Sequence, residues 1–560
     1  MSILLKAVPS YEKCFWDDSF AAKPIFTKGT VLGGEDFFFE IAYTSDNPLH
    51  IPKAVVKMEV ESPIAELLTF QAVQQVPNMY PVFPIALQEK DPNYLRTKPG
   101  LYPDLLRPVD TTKMVFVPHG ELKSMFVTVS VPKGYPAGEY PITIRFRDWW
   151  DENAEPVEVT VTIKVIGADL PEQNFKVTQW FHCDCIADYY EIEIFSEKHW
   201  EYIEKFMRTA VKNGLNTVLT PIFTPPLDTE VGGERPTVQL IDVYKTDAGW
   251  EFGFDRLERW VKLCDKVGYE YFEVAHLYTQ WGAGHAPKIM GYVNGEYVKL
   301  FGWETDALSE EYRTFIRALL TAFLEKMKSL NGADKRCMFH ISDEPNLDHL
   351  EQYTKVKEQV ADILDGYVIM DALSNYEFYK TGALPNPIPS NDHIDEFIAE
   401  GVPHLWTYYC CGQSVGVSNR MLSMPMARTR VIGSQFWKYD IEGFLQWGYN
   451  FYYSQNSVHK VNPFECTDGD YFVPAGDCFS VYPGDSGEPL ETLRIKAFLQ
   501  ALYDLRAMRL AESLCGREAV LAAMEEGLNY SITFAKYPTE CDYCANLREK
   551  INAMIEANTK

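Results

Sequence analysis

The 560-residue chain lacks an excess of positive charge, with 52 Lys and Arg against 79 Asp and Glu and a net charge of −27. So acidic a surface repels phosphate backbones and anionic membrane leaflets, so no nucleic-acid partner is expected. No run approaches the roughly 20 apolar residues that a membrane helix needs, and no transmembrane segment is expected. The start, Met1-Ser2-Ile3-Leu4-Leu5-Lys6-Ala7-Val8-Pro9, has a short apolar run and no small-residue cleavage site. It does not read as a signal peptide, and a cytoplasmic location is expected. Paired metal motifs are also missing. Among 12 cysteines, Cys541-x-x-Cys544 has no second half, so reduced and mostly buried thiols are expected. Thr467-Asp468-Gly469-Asp470 lacks the spacing and terminal Glu of a calcium loop and reads as a turn. No metal and no cofactor are expected.

What is present is aromatic surface and length. The chain carries 12 Trp, 33 Tyr and 33 Phe, a supply of platforms for sugar rings or of ordinary core. Its length predicts two or three domains. Residues 1–168 read as a β-sandwich: segments 37–43, 54–60, 125–131 and 157–163 are strand-like, with apolar and polar residues alternating in several, and turns such as Pro132-Lys133-Gly134 separate them.

From about residue 175 the pattern changes to short apolar strands alternating with amphipathic helices. Strands are expected at 175–181, 217–220, 269–277, 336–341, 367–371, 404–409, 443–447 and 477–482. Eight strand–helix units predict a (β/α)8, TIM-like barrel over residues 169–510, followed by a helical C-terminal segment, 511–560. A doubly wound sheet competes, but no G-x-G-x-x-G follows the first strand.

Barrel enzymes place their chemistry at the C-terminal ends of strands. The polar residues near strand ends are Asn216 (just before its strand), His276, Asp343, Glu344, Asp371, Tyr408, Tyr409, Trp447, Tyr449 and Asn450. Carboxylates, amides and aromatics suit a neutral polyhydroxylated ligand. Asp343-Glu344 carries the most weight, because two adjacent carboxylates can take separate roles if one ionises and the other is held protonated. The competing reading is a helix N-cap ahead of Pro345. Tyr408 and Tyr409 point to opposite sides of a strand, so one of them faces the site. Trp281-Gly282-Ala283-Gly284-His285-Ala286-Pro287 is a candidate lid.

The segment Ser342-Asp343-Glu344-Pro345 resembles the motif of glycoside hydrolase family 123, the β-N-acetylgalactosaminidases. Leu405-Trp406-Thr407-Tyr408-Tyr409-Cys410 and Gly443-Phe444-Leu445-Gln446-Trp447-Gly448-Tyr449-Asn450 are similar to the family's downstream pattern. The resemblance implies a retaining, substrate-assisted glycosidase in which the substrate's acetamido oxygen attacks the anomeric carbon. It assigns Asp343 to the acetamido N–H and Glu344 to the glycosidic oxygen. Substrate contacts would come from Tyr408 or Tyr409, Trp447, Tyr449, Asn216, His276 and Asp371. The implied substrate is a GalNAc-terminated oligosaccharide or glycolipid glycan, and the galacto preference comes wholly from the resemblance. The alternatives are a β-glycosidase acting on β-GlcNAc or β-Gal with a carboxylate nucleophile, and a non-catalytic glycan-binding protein. Nothing in the sequence fixes an oligomeric state.

Overall fold

The structure is a computed structural model that describes residues 3–46, 55–109, 113–151 and 153–559. The expected strand 54–60 begins on Ala54, outside the described residues. The sheet-rich N-terminal region contains β1 (Ile3–Pro9), β2 (Lys28–Gly33), β3 (Glu35–Ser45), β4 (Val55–Glu61), β5 (Leu68–Asn78), β6 (Gly100–Pro108), β7 (Met114–Phe116), β8 (Lys123–Val131), β9 (Gly138–Asp148) and β10 (Val157–Asp169). They form two five-stranded sheets, β1-β3-β8-β5-β6 and β2-β10-β9-β4-β7. Alternation explains the shared core: Ile142, Ile144 and Phe146 of β9 and Val161, Ile163 and Val165 of β10 face inward. They pack in one cluster with Phe39, Ile41, Val127 and Val129 of the other sheet.

The second region begins with β11 (Lys176–Gln179), β12 (Thr217–Thr220), β13 (Asp242–Thr246), β14 (Gly249–Gly253), β15 (Tyr271–Val274), β16 (Ile289–Val293) and β17 (Glu296–Phe301). It continues with β18 (Cys337–Phe339), β19 (Val368–Ala372), β20 (Asn386–Ile388), β21 (Trp406–Tyr408) and β22 (Gly443–Gln446). Eight of these form a parallel sheet, β20-β19-β18-β15-β12-β11-β22-β21. Its two edges meet at a Ser390–Tyr408 bridge, which makes a nearly closed barrel. The strands are short and buried on both faces, so they read as apolar runs. Gly443 is needed for close approach, since a Cβ there would lie 2.1 Å from the Trp406 ring.

Helix ends follow their caps. Glu197–Lys212 starts at Ser196, whose hydroxyl accepts from the His199 amide, and buries Trp200, Ile203, Phe206, Met207 and Ala210 along one face. Glu310–Ser329 is capped by Ser309, with Glu310 and Glu311 in its first turn and Lys326 and Lys328 in its last.

The sequence expectations need two corrections here. The sixth barrel strand is β20, three residues including Pro387, too short and too Pro-marked to show as a periodic run. The segments expected sixth and seventh are therefore β21 and β22, and 477–482 forms no barrel strand. The second concerns the domains. The chain divides into two compact units, not three consecutive pieces: Met1–Asn174 with Val415–Tyr439 and Leu490–Lys560, and Phe175–Ser414 with Asp440–Pro489. Buried ion pairs explain why the late helices group with the sheets. Arg494 forks onto Asp104 of β6 at 2.8 and 2.9 Å, and Arg428 reaches Asp91 at 2.9 Å. Arg548 pairs with Glu35 of β3.

Breaking the Asp104–Arg494 pair takes both guanidinium bonds from a carboxylate at 0% exposure. Arg494→Ala should lower stability by about 3–5 kcal/mol in chemical denaturation. Arg208→Ala, which breaks an exposed pair with Glu204, should change it by less than about 1 kcal/mol. Equal effects would contradict the packing described.

Candidate active site

The fourth barrel strand stops at Phe339, and residues 340–344 continue as irregular chain held from both sides. Amides of the loop after β15 bond to it: Leu277 to the His340 carbonyl at 3.0 Å, Tyr278 to Ile341 at 3.0 Å and Trp281 to Asp343 at 2.9 Å. On the other flank, the Glu344 amide donates to the Ala372 carbonyl at 3.1 Å. Glu344 sits at φ +43°, a left-handed conformation that costs a non-glycine residue about 1–2 kcal/mol. Its effect is geometric. Consecutive residues of an extended strand face opposite ways, whereas here Asp343 and Glu344 line one cavity. The capping alternative falls away, because Asn346 caps the next turn.

That cavity, of about 210 Å³, is walled by Trp180, Trp281, Trp447 and Phe472. The Tyr408 hydroxyl donates to Glu344 Oε1 at 2.7 Å. Among the described residues, no protein donor bonds the Asp343 carboxylate, which leaves it able to accept one from a ligand. Burial and the neighbouring Glu344 push Asp343 well above the usual carboxylate range, against the charge of His340. Glu344 opens to the cavity yet is ringed by protein, and burial raises it too, against the Tyr408 hydroxyl. Two adjacent carboxylates so placed favour sharing one proton, which gives one acid and one anion.

Beneath the cavity, His340 lies between Glu273 (Nε2 to Oε1, 2.7 Å) and Asp371 (Nδ1 to Oδ1, 3.1 Å). Burial works to deprotonate it, but both carboxylates outweigh that and raise it to about 10. Burial also raises Asp371, opposed by His340, by the Tyr353 hydroxyl at 2.5 Å and by the Ile341 amide. With three donors on that carboxylate, the proton belongs on the imidazole. His276 stacks on His340 at 4.3 Å, and burial holds it well below the usual histidine range. Among the described residues, His276, His340 and Asp371 form a grouping with metal-ligand spacing, their ligand atoms within 4.8 Å. A doubly protonated imidazole has no lone pair to give, so the geometry is that of a charge bracket.

The expected residues therefore separate. Asp343, Glu344, Tyr408 and Trp447 line the cavity together. Asp371 and His276 lie buried under it. Tyr409 is buried against Phe444 at 4.8 Å, which resolves the tyrosine pair in favour of Tyr408. Tyr449 donates to the Phe206 carbonyl at 2.9 Å, away from the cavity. Asn216 ties β11 to β12 at the opposite strand ends, accepting from the Val177 amide at 2.8 Å. Sequence reading missed Trp180 and His182, although both follow the first strand where the strand-end rule applies. It also missed Asp228, Gln280 and Cys410. Trp281 belongs to the loop read as a lid, and Asp228 lies in a long loop with no local pattern.

A parallel barrel bearing a carboxylate pair past its fourth strand, in an aromatic-walled cavity, has the site chemistry of a glycoside hydrolase. The catalytic-domain model of glycoside hydrolase family 123 matches residues 180–511, more than half of the chain, and the chain belongs to that family. Its fold is similar to a family 123 glycoside hydrolase from Clostridium perfringens studied for glycolipid glycan hydrolysis, with TM-score 0.76 and 14% identity over 99% of this chain and 98% of that one. A Bifidobacterium dentium β-glucuronidase aligns over 90% of this chain and 66% of its own at TM-score 0.33 and 7% identity, too low to carry an argument. No curated protein sequence matches the chain.

Tyr408→Phe removes the hydroxyl that lowers Glu344, so Glu344 should titrate higher. As the required form is protonated, the alkaline limb of kcat/KM should move to higher pH, with a rate loss of about tenfold. A limb that stays or moves down would contradict this placement.

Proposed function

We propose that the enzyme is an exo-acting, retaining β-N-acetylgalactosaminidase that removes terminal β-linked GalNAc from oligosaccharides or glycolipid headgroups by substrate-assisted catalysis. The observation that carries this reading is the adjacency of Asp343 and Glu344 on one side of a single cavity. A double displacement on an enzyme nucleophile places its two carboxyl groups about 5–5.5 Å apart across the anomeric carbon. Neighbouring residues serve a different geometry, in which one carboxylate reaches the 2-substituent and the other the glycosidic oxygen. Asp343, bonded by no protein donor among the described residues, accepts the acetamido N–H and faces the positive charge that develops as the acetamido oxygen attacks. Glu344 protonates the leaving oxygen and then takes a proton from the incoming water. The N-terminal sheets read as a β-sandwich, and the barrel as an irregular (β/α)8 barrel.

The cavity volume of about 210 Å³ supports exo action. It falls below the roughly 300–1,000 Å³ typical of drug-sized ligands and suits one sugar. Trp447 suits the wall of the acetamido methyl or the apolar face of the ring. Its indole N–H is already bonded to Asp477 at 2.9 Å, which fixes the ring plane. The glycolipid reading draws on the Clostridium perfringens relative.

Asp343→Asn should lower kcat by about 10²–10³-fold, the range for losing one group matched to transition-state charge. Glu344→Gln should abolish cleavage of substrates with poor leaving groups. A thiazoline analogue of GalNAc should inhibit strongly. Weak inhibition together with covalent trapping by a 2-fluoro sugar would overturn substrate assistance.

A further inference from the structure

A third carboxylate lines the same cavity, and neither proposed catalytic role uses it. Asp228 follows the second barrel strand in a loop whose backbone is pinned at several points. The Ser457 hydroxyl donates to the Asp228 carbonyl at 2.6 Å, and the Glu230 amide bonds the Asn456 carbonyl at 2.9 Å. Arg235 donates to the Leu227 carbonyl at 3.1 Å while its guanidinium is forked onto Asp184, and Gln280 donates to the Thr229 carbonyl at 3.1 Å. These bonds hold Asp228 at φ +39°, outside the range an aspartate adopts freely. The nearby Asn456 amide works to lower its pKa, against burial. Among the described residues, its Oδ2 is buried and has no hydrogen-bond partner.

A buried carboxylate oxygen without a donor carries a desolvation penalty that the fold would avoid unless something supplies a donor. Asp228 itself lines the cavity that also holds Asp343 and Glu344. Resting on the reading of that cavity as the seat of the terminal sugar, we propose that Asp228 is a specificity-determining residue whose carboxylate accepts a ring hydroxyl of that sugar. The class of ligand follows from the chemistry. An acceptor-only oxygen needs an O–H or N–H donor, and the acetamido N–H has Asp343. A sugar presents hydroxyls along the rest of its edge, and a site built to bind one rejects analogues that lack it. Burial pushes Asp228 up to about 6, against Arg235, so it is chiefly ionised near neutrality and accepts a charge-assisted bond.

The test is a cycle between the residue and the substrate. Asp228→Asn keeps the shape, and asparagine tolerates a left-handed backbone, so the variant should fold with an unchanged melting temperature. It is assayed on whichever of aryl β-GalNAc, β-GlcNAc, β-Gal and β-Glc the wild type cleaves, and on the monodeoxy forms of that sugar. A change of preferred glycone would revise the proposed activity without touching Asp228. Asp228→Asn should lower kcat/KM about 10- to 100-fold on the parent sugar, the worth of a hydrogen bond to a charged group. On one particular deoxy sugar, the variant and wild type should be nearly equal. An equal loss on the parent and every deoxy sugar, or no loss, would overturn the proposal. Asp228→Ala with azide distinguishes a different failure. Rescue through a glycosyl azide would make Asp228 a nucleophile and would overturn both this role and substrate assistance.

Discussion

Two carboxylates buried inside the barrel, Glu273 and Asp371, are tolerable because a protonated His340 lies between them. Each sits on a different strand, β15 and β19, and His340 follows the strand that runs between these two. Thr178 and Trp180 also donate to Glu273, the latter at 2.8 Å. The network therefore ties neighbouring strands together at the level where the site begins. Its bonds are charge-assisted and directional, so they fix the chain leaving β18 more tightly than apolar packing would. Removing His340 leaves both carboxylates buried without their shared counter-charge. Asp343 and Glu344 inherit their positions from this bracket, three and four residues further along.

Above the bracket, the fold accepts strain and desolvation where the chemistry needs them. Asp228, Trp281, Glu344 and Asn456 all line the cavity, and all have left-handed backbones, with φ of 39°, 57°, 43° and 56°. Such residues persist only where surrounding bonds over-determine them. Here, groups of the loops after the second, third, fourth and last barrel strands, and Ala372 at the end of the fifth, supply those bonds. Raised carboxylates are part of the same pattern. A group whose folded pKa lies above its unfolded value destabilises the fold as pH rises through that range. The protein carries that penalty at the position where an acid at neutral pH is useful.

Much of this was legible in the sequence. The S-D-E-P segment and the strand-end rule located Asp343, Glu344, Tyr408 and Trp447, because strand geometry decides which residues reach the barrel mouth. The rule failed for Asn216, which precedes its strand and so lies at the other end. It failed differently for His276 and Asp371, whose polarity serves the bracket below the cavity, a distinction of depth that spacing does not encode. β20 was invisible because three residues show no period. Asp228 was invisible because its position depends on bonds to residues 456 and 457, more than two hundred positions away in sequence.

The central claim is that the substrate's own acetamido oxygen attacks the anomeric carbon, with Asp343 and Glu344 on either side of that event. Fluorine on the acetamido methyl withdraws electrons from that oxygen while scarcely changing its size. The decisive measurement is kcat/KM for aryl glycosides bearing acetamido, fluoroacetamido, difluoroacetamido and trifluoroacetamido groups. Participation predicts a steep fall with each fluorine. A flat series would contradict it and would require an enzyme carboxylate as the nucleophile.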